Sequence, residues 1–216
     1  MARSSLIALF TIRVRSSDSV KSSAMQPENV LSLFNDTDAL LTGHFVLSSG
    51  LHSDKYLQCA RALQFPADAA IFGHAIAQHF LDQKIETVGS PAIGGLVIGY
   101  AVADALNVRF IWAERENGTM TLRRGFEIRE GERILVVEDV ITTGGSTREC
   151  IEALESRGAN VVAAASIIDR SNGKADVGVP RISLAQLDVP SYAPDNCPMC
   201  ERGDDAVKPG SRSTAK

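Results

Sequence analysis

The stretch Glu132–Asn160, ERILVVEDVITTGGSTRECIEALESRGAN, decides how the chain is read. Ile134–Val137 is a short apolar, mostly β-branched run, the kind that forms a fully buried parallel strand. Two adjacent carboxylates, Glu138 and Asp139, follow where that strand is expected to end. Val140 and Ile141 then lead into Thr142, Thr143, Gly144, Gly145 and Ser146. Glycines and small residues let a backbone pass close to a ligand, and free N–H groups at a helix start attract phosphate. Carboxylates would repel a bare phosphate, but they suit a ligand that also carries hydroxyls or a magnesium ion. A sugar phosphate meets both demands.

The helix after the loop is well punctuated. Ser146 and Glu149 have capping-box spacing, and Cys150, Ile151 and Leu154 form an apolar stripe at helical spacing. Arg157 suits a last turn and Gly158 the position after it. An ordinary strand–turn–helix with a glycine-rich connection leaves the coincidence of these features unexplained. Neither G-x-x-x-x-G-K-S/T nor G-x-G-x-x-G occurs here, so a nucleoside-triphosphatase or dinucleotide fold is not supported.

Two further units lie upstream and downstream. Pro66–Lys84 has a broad apolar stripe at helical spacing, including Ile71, Ile76 and Phe80. Glu86–Ser90 then predicts a strand, Pro91–Gly95 a glycine turn, Leu96–Leu106 a buried helix and Val108–Trp112 another strand. After the central helix, Val161–Ile168 predicts a buried strand that runs into Asp169 and Arg170, and Arg181–Leu187 predicts a last one. Strands alternating with helices imply a parallel sheet with right-handed crossovers, in which ligands bind outside the carboxyl ends of the strands. That rule puts Pro91–Gly95, Asp139–Ser146 and Asp169-Arg170 on one rim.

The other segments carry less definite readings. Pro27 with Val30, Leu31 and Phe34 predicts a short amphipathic helix, continued over Asp38–Leu41 and ended by Gly43. His44–Leu47 and Tyr56–Gln58 predict two short strands. The loop between them, with Ser49, Gly50, His52, Ser53 and Lys55, is either a polar surface hairpin or a substrate flap. Ala113–Arg129 predicts a β-hairpin with a type I′ turn at Asn117-Gly118. Its Arg115, Arg123 and Arg124 either face water or form a mobile arm that neutralises a phosphorylated ligand. An arginine at the sheet rim, Arg170, is placed to clamp a carboxylate in bidentate fashion. His74 and His79 have no ligand-spaced partner. Cys197 and Cys200 form one C-x-x-C with no second pair and no histidine after it, a weak zinc or redox signal.

With 216 residues, 44% of them hydrophobic, the chain can bury a sizeable core in one domain. A net charge of −4 gives no general pull toward nucleic acid or membrane surfaces, and no apolar run reaches the length of a membrane span. The four cysteines are Cys59, Cys150, Cys197 and Cys200. Two of them fall in expected core elements, which argues against a disulfide framework and for a reducing, cytoplasmic setting. Residues 1–24 are rich in Ser and Arg with one acid, Asp18. They read as a disordered tail, a mis-assigned start before Met25 or a transit-like segment.

EDVITTGGST resembles the signature with which type I phosphoribosyltransferases bind 5-phosphoribosyl 1-diphosphate (PRPP). Within that family the chain is most similar to the orotate phosphoribosyltransferases. FVLSSGLHSDKY, SPAIGG, RRGFEI and DRSNG come in those enzymes' order, and the likeness covers roughly residues 25–212. The resemblance implies an α/β type I fold: a five-stranded parallel sheet flanked by helices, with a hood mainly from residues 25–65, a core over 66–185 and a C-terminal segment over 186–212. It implies transfer of the phosphoribosyl group from PRPP to orotate, giving orotidine 5′-monophosphate and pyrophosphate, in pyrimidine synthesis.

The resemblance also implies residue roles. Glu138 and Asp139 would hold the ribose hydroxyls, and the loop Val140–Ser146 (Val140, Ile141, Thr142, Thr143, Gly144, Gly145, Ser146) the rest of PRPP. Thr142 and Arg170 would meet orotate. Magnesium would be held through PRPP rather than by a protein cage, and a homodimer is expected. The chain departs from the family at Ile93-Gly94, at Ser48 and within the arm, where many members carry lysine or histidine. Arg115 is the candidate left to assist the leaving group. A purine or uracil transferase, or a PRPP-sensing regulator that binds DNA, are the competing readings.

Overall fold

The computed structural model describes residues 25–47 and 50–209; the expectations for residues 1–24, Ser48, Ser49 and the chain end beyond 209 lie outside it. In chain order the elements are α1 (Pro27–Asp36), β1 (Leu40–Val46), β2 (His52–Leu57), α2 (Cys59–Leu63), α3 (Pro66–Ala77), β3 (Thr87–Pro91) and α4 (Gly95–Leu106). These are followed by β4 (Arg109–Glu116), β5 (Thr119–Leu122), β6 (Arg133–Ile141), α5 (Gly145–Glu155), β7 (Asn160–Asp169), β8 (Arg181–Gln186) and α6 (Pro198–Glu201). Short 3-10 turns occupy Gln78–Phe80 and Pro194–Asn196.

Six strands form the main sheet in the order β5-β4-β3-β6-β7-β8. Five of them run parallel, and β5 turns back antiparallel on β4 at the edge. β6 lies between β3 and β7 and feeds both faces alternately. Its Ile134 and Val136 pack with Cys150, Ile151 and Leu154 of α5. Its Leu135 and Val137 pack with Phe72 and Ile76 of α3 and Ile98 and Val102 of α4. All four strand side chains are fully buried, each stabilising the fold by about 1.5–3 kcal/mol relative to exposure. This two-sided burial is why the run reads as continuously apolar in the sequence.

The sheet needs its helices close. A Cβ added at Gly73 of α3 would lie 2.6 Å from the carbonyl oxygen of Ala101 on α4, so the two backbones meet where only hydrogen fits. α1 joins the same core through Val30 and Phe34, whose ring lies 5.8 Å from that of Phe72.

Several local expectations are corrected. The helix does not continue over Asp38–Leu41: Asp38 has φ 50°, which ends α1, and β1 starts at Leu40 with Gly43 inside it. Pairing of Leu40, Leu41 and Thr42 with Leu57, Tyr56 and Lys55 outweighs the local helical pattern. The helix predicted to run to Lys84 ends at Ala77 and closes in a 3-10 turn. The central strand does not end at Val137. β6 extends to Ile141 because β7 continues beside it, pairing Glu138 with Ser166 and Ile141 with Asp169.

The hairpin β1–β2 stands apart from the main sheet, and residues 190–207 flank it. His52 and Tyr192 exchange backbone hydrogen bonds at 2.8 Å, Val46 N–H donates to Val207 O at 2.8 Å, and Ser53 Oγ donates to Pro190 O at 2.8 Å. Gly73→Ala should place its methyl against the Ala101 backbone. Overpacking of this kind costs about 1–3 kcal/mol. At roughly 2–4 °C per kcal/mol for a chain of this size, thermal denaturation should report a clearly lowered Tm. An unchanged Tm would mean that α3 and α4 separate freely.

Candidate active site

The carboxyl end of β6 and the amino end of α5 enclose a cavity of about 230 Å³ lined by Glu138–Thr147. Every residue from Glu138 to Ser146 singled out in the sequence therefore lines one pocket. Gly144 is the residue the turn depends on: it has φ 79°, and a Cβ there would lie 2.8 Å from Val177 Cγ1. It is also the residue before α5, and no side chain caps the helix. The capping box expected from Ser146 and Glu149 is not formed, because α5 begins at Gly145 and Ser146 already lies inside its first turn. The Gly145 N–H reaches Thr143 Oγ1 only at 3.5 Å, a long contact that leaves the start of α5 open to a ligand, and the helix dipole favours an anion there. Thr142, Thr143 and Ser146 are exposed and add hydroxyl donors.

The two acids face different walls. Glu138 lies on the α5 side with Cys150 and is buried. Burial and then the charge of Asp139 push its carboxyl up to about 9. Asp139 lies on the opposite side and is half-buried. Burial raises its pKa as well, while its Oδ1 accepts the Val140 N–H at 2.8 Å, which works in the opposite sense. The pair therefore favours holding a proton between them. Such acids are suited to hydrogen bonds with sugar hydroxyls. Two neighbouring carboxyls offer too few oxygens for a complete magnesium shell.

Three turns meet at this rim. A Cβ at Gly94 would lie 2.9 Å from Asp139 Oδ1, and one at Gly95 would lie 2.8 Å from Val137 O, so the turn after β3 abuts the acids. The Ala92–Ile93 peptide in that turn is cis. From β7, the Arg170 N–H donates to Ile141 O at 2.8 Å and ties the next turn to the cradle. Asp169 is the hub of that turn. Its carboxylate accepts from the Ser171 N–H at 2.7 Å, the Gly173 N–H at 3.0 Å and Arg181 Nη1 at 3.0 Å.

The neighbouring side chain, Arg170, is left for something else. It is partly buried beside Tyr56 and Cys59, and burial lowers its pKa. Its buried Nε has no acceptor, and among the described residues no carboxylate pairs with it.

The arm is an ordered hairpin that extends the main sheet. Asn117 and Gly118 have φ 52° and 87°, as a type I′ turn requires. Its arginines are all engaged: Arg115 Nη1 lies 2.6 Å from Glu149 Oε2 on α5, Arg123 pairs with Glu116 at 3.3 Å and Arg124 with Glu114 at 2.7 Å. Arg115 is not among the residues lining the Glu138–Thr147 cavity. Thr147 and Cys59 were not singled out in the sequence. Thr147 is a buried member of the cradle wall, and Cys59 is a buried thiol on α2 whose pKa is raised by burial and then by the charge of Asp139. Nothing in the local pattern around Cys59 marks it, since 80 residues separate it from its partner.

Comparison with known proteins agrees with this geometry. The phosphoribosyl transferase domain model matches residues 62–183. The orotate phosphoribosyltransferase of Caldicellulosiruptor bescii is 53% identical over 188 residues, covering 87% of this chain and 99% of that protein. The crystal structure of orotate phosphoribosyltransferase from Aeropyrum pernix aligns with a TM-score of 0.63 at 30% identity, over 73% of this chain and 93% of that one. The Mycobacterium tuberculosis H37Rv orotate phosphoribosyltransferase in complex with PRPP aligns at 0.53 and 25% identity, over 61% and 81%. A β6–loop–α5 cradle with two acids, in a chain this similar to those proteins, places it in a known family: the chain belongs to the orotate phosphoribosyltransferases.

Proposed function

We propose that the cavity at the carboxyl end of β6 is where this chain transfers the 5-phosphoribosyl group from PRPP to orotate, yielding orotidine 5′-monophosphate and pyrophosphate for pyrimidine biosynthesis. The observation that carries the choice of orotate is Arg170: a partly buried guanidinium beside the cradle with an unused Nε donor. Leaving such a donor unpaired is costly, and a planar carboxylate satisfies it. Purines and uracil lack that carboxylate. The net charge of −4 weighs against a DNA-binding regulator.

In this reading the α5 amino end and Thr142–Ser146 hold the 5′-phosphate, while Glu138 and Asp139 hydrogen-bond the ribose hydroxyls. With both ends of PRPP anchored, the anomeric carbon is presented to N1 of orotate, which Arg170 and Thr142 orient. As the C–O bond breaks, its electron pair leaves with pyrophosphate and positive charge builds on the ribose ring. In its ionised form, Asp139 would offset that charge. Magnesium brought in with PRPP would supply charge neutralisation on the leaving group. Arg115 is the candidate to assist there. Its pair with Glu149 is a surface contact worth about 0–1 kcal/mol, so exchanging that carboxylate for phosphate costs little.

A homodimer is part of the proposal. α3 and α4 expose apolar side chains, with Tyr100 65% and Ile71 46% accessible, and Tyr100, Val97, Ala70 and Leu63 line a groove of about 220 Å³. An apolar surface of this kind fits a second copy.

Arg170→Ala should raise the orotate KM by about 100-fold, the value of two charge-assisted hydrogen bonds, while PRPP binding stays within about threefold by calorimetry. Equal loss for both ligands would remove Arg170 from orotate recognition. For Glu138, the folded-state pKa is raised, so the folded chain keeps a proton that the unfolded chain has lost. Stability is then highest below the unfolded carboxylate range and falls as pH rises toward about 9. Glu138→Gln should raise the Tm of the ligand-free protein at pH 8 by about 2–4 °C or more, leave it unchanged near pH 4, and weaken PRPP binding. A pH-independent Tm difference would contradict the assignment. Tyr100→Glu should convert a dimer into monomers in sedimentation velocity; a monomeric parent protein would refute the dimer.

A further inference from the structure

The pair Cys197 and Cys200, isolated in the sequence, meets two histidines in the folded chain. The lack of a histidine after Cys200 is therefore no obstacle to a metal site, because the histidines arrive from the N-terminal hairpin. His44 comes from β1 and His52 from β2, and one ligand atom from each of the four residues falls within 4.8 Å of all the others. Cys200 Sγ lies 3.3 Å from His52 Nδ1 and 3.8 Å from His44 Nε2, and Cys197 Sγ lies 3.7 Å from His44 Nε2. A tetrahedron with metal–nitrogen bonds of about 2.0–2.1 Å and metal–sulfur bonds of about 2.3 Å has nitrogen–sulfur edges of roughly 3.6 Å. The three observed edges bracket that value. His44 Nε2 and His52 Nδ1 are 2.7 Å apart and need to open by roughly 0.7 Å to reach the nitrogen–nitrogen edge of such a site.

We propose that His44, His52, Cys197 and Cys200 bind one zinc ion, a structural site separate from the PRPP cavity. The donor chemistry is selective: two thiolates and two imidazoles suit zinc, and no carboxylate takes part. The outer contacts are those of a ligand set. His44 Nδ1 lies 2.8 Å from Asp204 O, which fixes its proton on Nδ1 and leaves the Nε2 lone pair facing the cluster. His44, His52 and Cys197 are buried, and only Cys200 reaches the surface.

Local geometry presents the sulfurs. Pro198–Glu201 forms a single helical turn, Glu201 N–H donates to Cys197 O at 3.1 Å, and Gly203, with φ 78°, lets the chain turn back at once. On the other side, the register of β1 and β2 is broken between Thr42 and Phe45. That bulge carries His44, and His52 follows across the hairpin.

The physical need is clear. A two-stranded hairpin is marginal by itself, and residues 190–207 contribute few apolar side chains to hold it. A metal clamp closing 153 residues of chain between His44 and Cys197 ties the C-terminal segment to the hairpin that carries Tyr56 toward Arg170.

The test uses the full chain purified under reducing conditions. Elemental analysis should find one zinc per chain. Replacement by cobalt(II) should give the intense visible absorption of tetrahedral, thiolate-bound cobalt. Even an outer partner of a ligand is worth about 10–100-fold in metal affinity, so Cys200→Ser and His52→Asn should each lower affinity by more than about 100-fold. Chelation of the parent protein should expose two additional thiols to Ellman's reagent and open the Arg202–Gly203 bond to trypsin. Absence of stoichiometric zinc together with no tetrahedral cobalt spectrum overturns the proposal. So does full zinc retention by folded Cys200→Ser, or a Cys197–Cys200 disulfide in the metal-free native protein. If a variant fails to fold, the cobalt spectrum and thiol count of the parent protein still decide the matter. PRPP-dependent orotate turnover is a separate readout, and its failure would not bear on the metal.

Discussion

Two carboxyl groups at the end of a buried strand impose the strongest constraint on this molecule. Glu138 and Asp139 occupy positions that an apolar strand would fill with valine or isoleucine, and burial opposes their charge. The alternation of β6 sends one toward α5 and the other toward the turn after β3 and Cys59, so the acids present separate faces while the charge of Asp139 disfavours ionising Glu138. The arrangement is unfavourable for the empty fold and favourable once hydroxyls approach. The fully buried aliphatic side chains of β6 just before the pair offset that cost and hold the strand rigid.

Around these acids the backbone does most of the positioning. Gly94 and Gly95 bring a turn against Asp139 and the Val137 carbonyl at distances no side chain permits, and Gly144 makes the left-handed step that leads into α5. The turn after β7 divides its labour between neighbours. Asp169 spends its oxygens on Ser171, Gly173 and Arg181, and so shapes the loop. Arg170, next in sequence and facing away from that network, keeps an unused donor. A rim residue with unspent hydrogen-bonding capacity is what a recognition site requires, and one already paired is what a turn requires.

The hairpin β1–β2 adds a different dependence. It has little core of its own and is held by residues from the far end of the chain, through backbone bridges to Tyr192 and Val207 and through the His44–His52–Cys197–Cys200 cluster. β2 also carries Tyr56 toward Arg170, so the hairpin links the C-terminal segment to the turn after β7.

The sequence by itself determined the alternation of strands and helices, the cradle Glu138–Ser146, the type I′ turn of the arm and the rim position of Arg170. These features depend on neighbours a few residues apart: apolar runs, glycines beside small polar residues, and an Asn-Gly pair. The tertiary structure decided the rest. It lengthened β6 because β7 runs beside it, and it made Leu40–Thr42 a strand because Leu57, Tyr56 and Lys55 pair with it. It engaged Arg115 with Glu149, left the Arg170 Nε without an acceptor among the described residues and set Cys59 near Asp139. It also turned a lone C-x-x-C into a four-ligand cluster. Such outcomes rest on contacts across tens to more than a hundred residues, where chain topology, and no local pattern, chooses the partner.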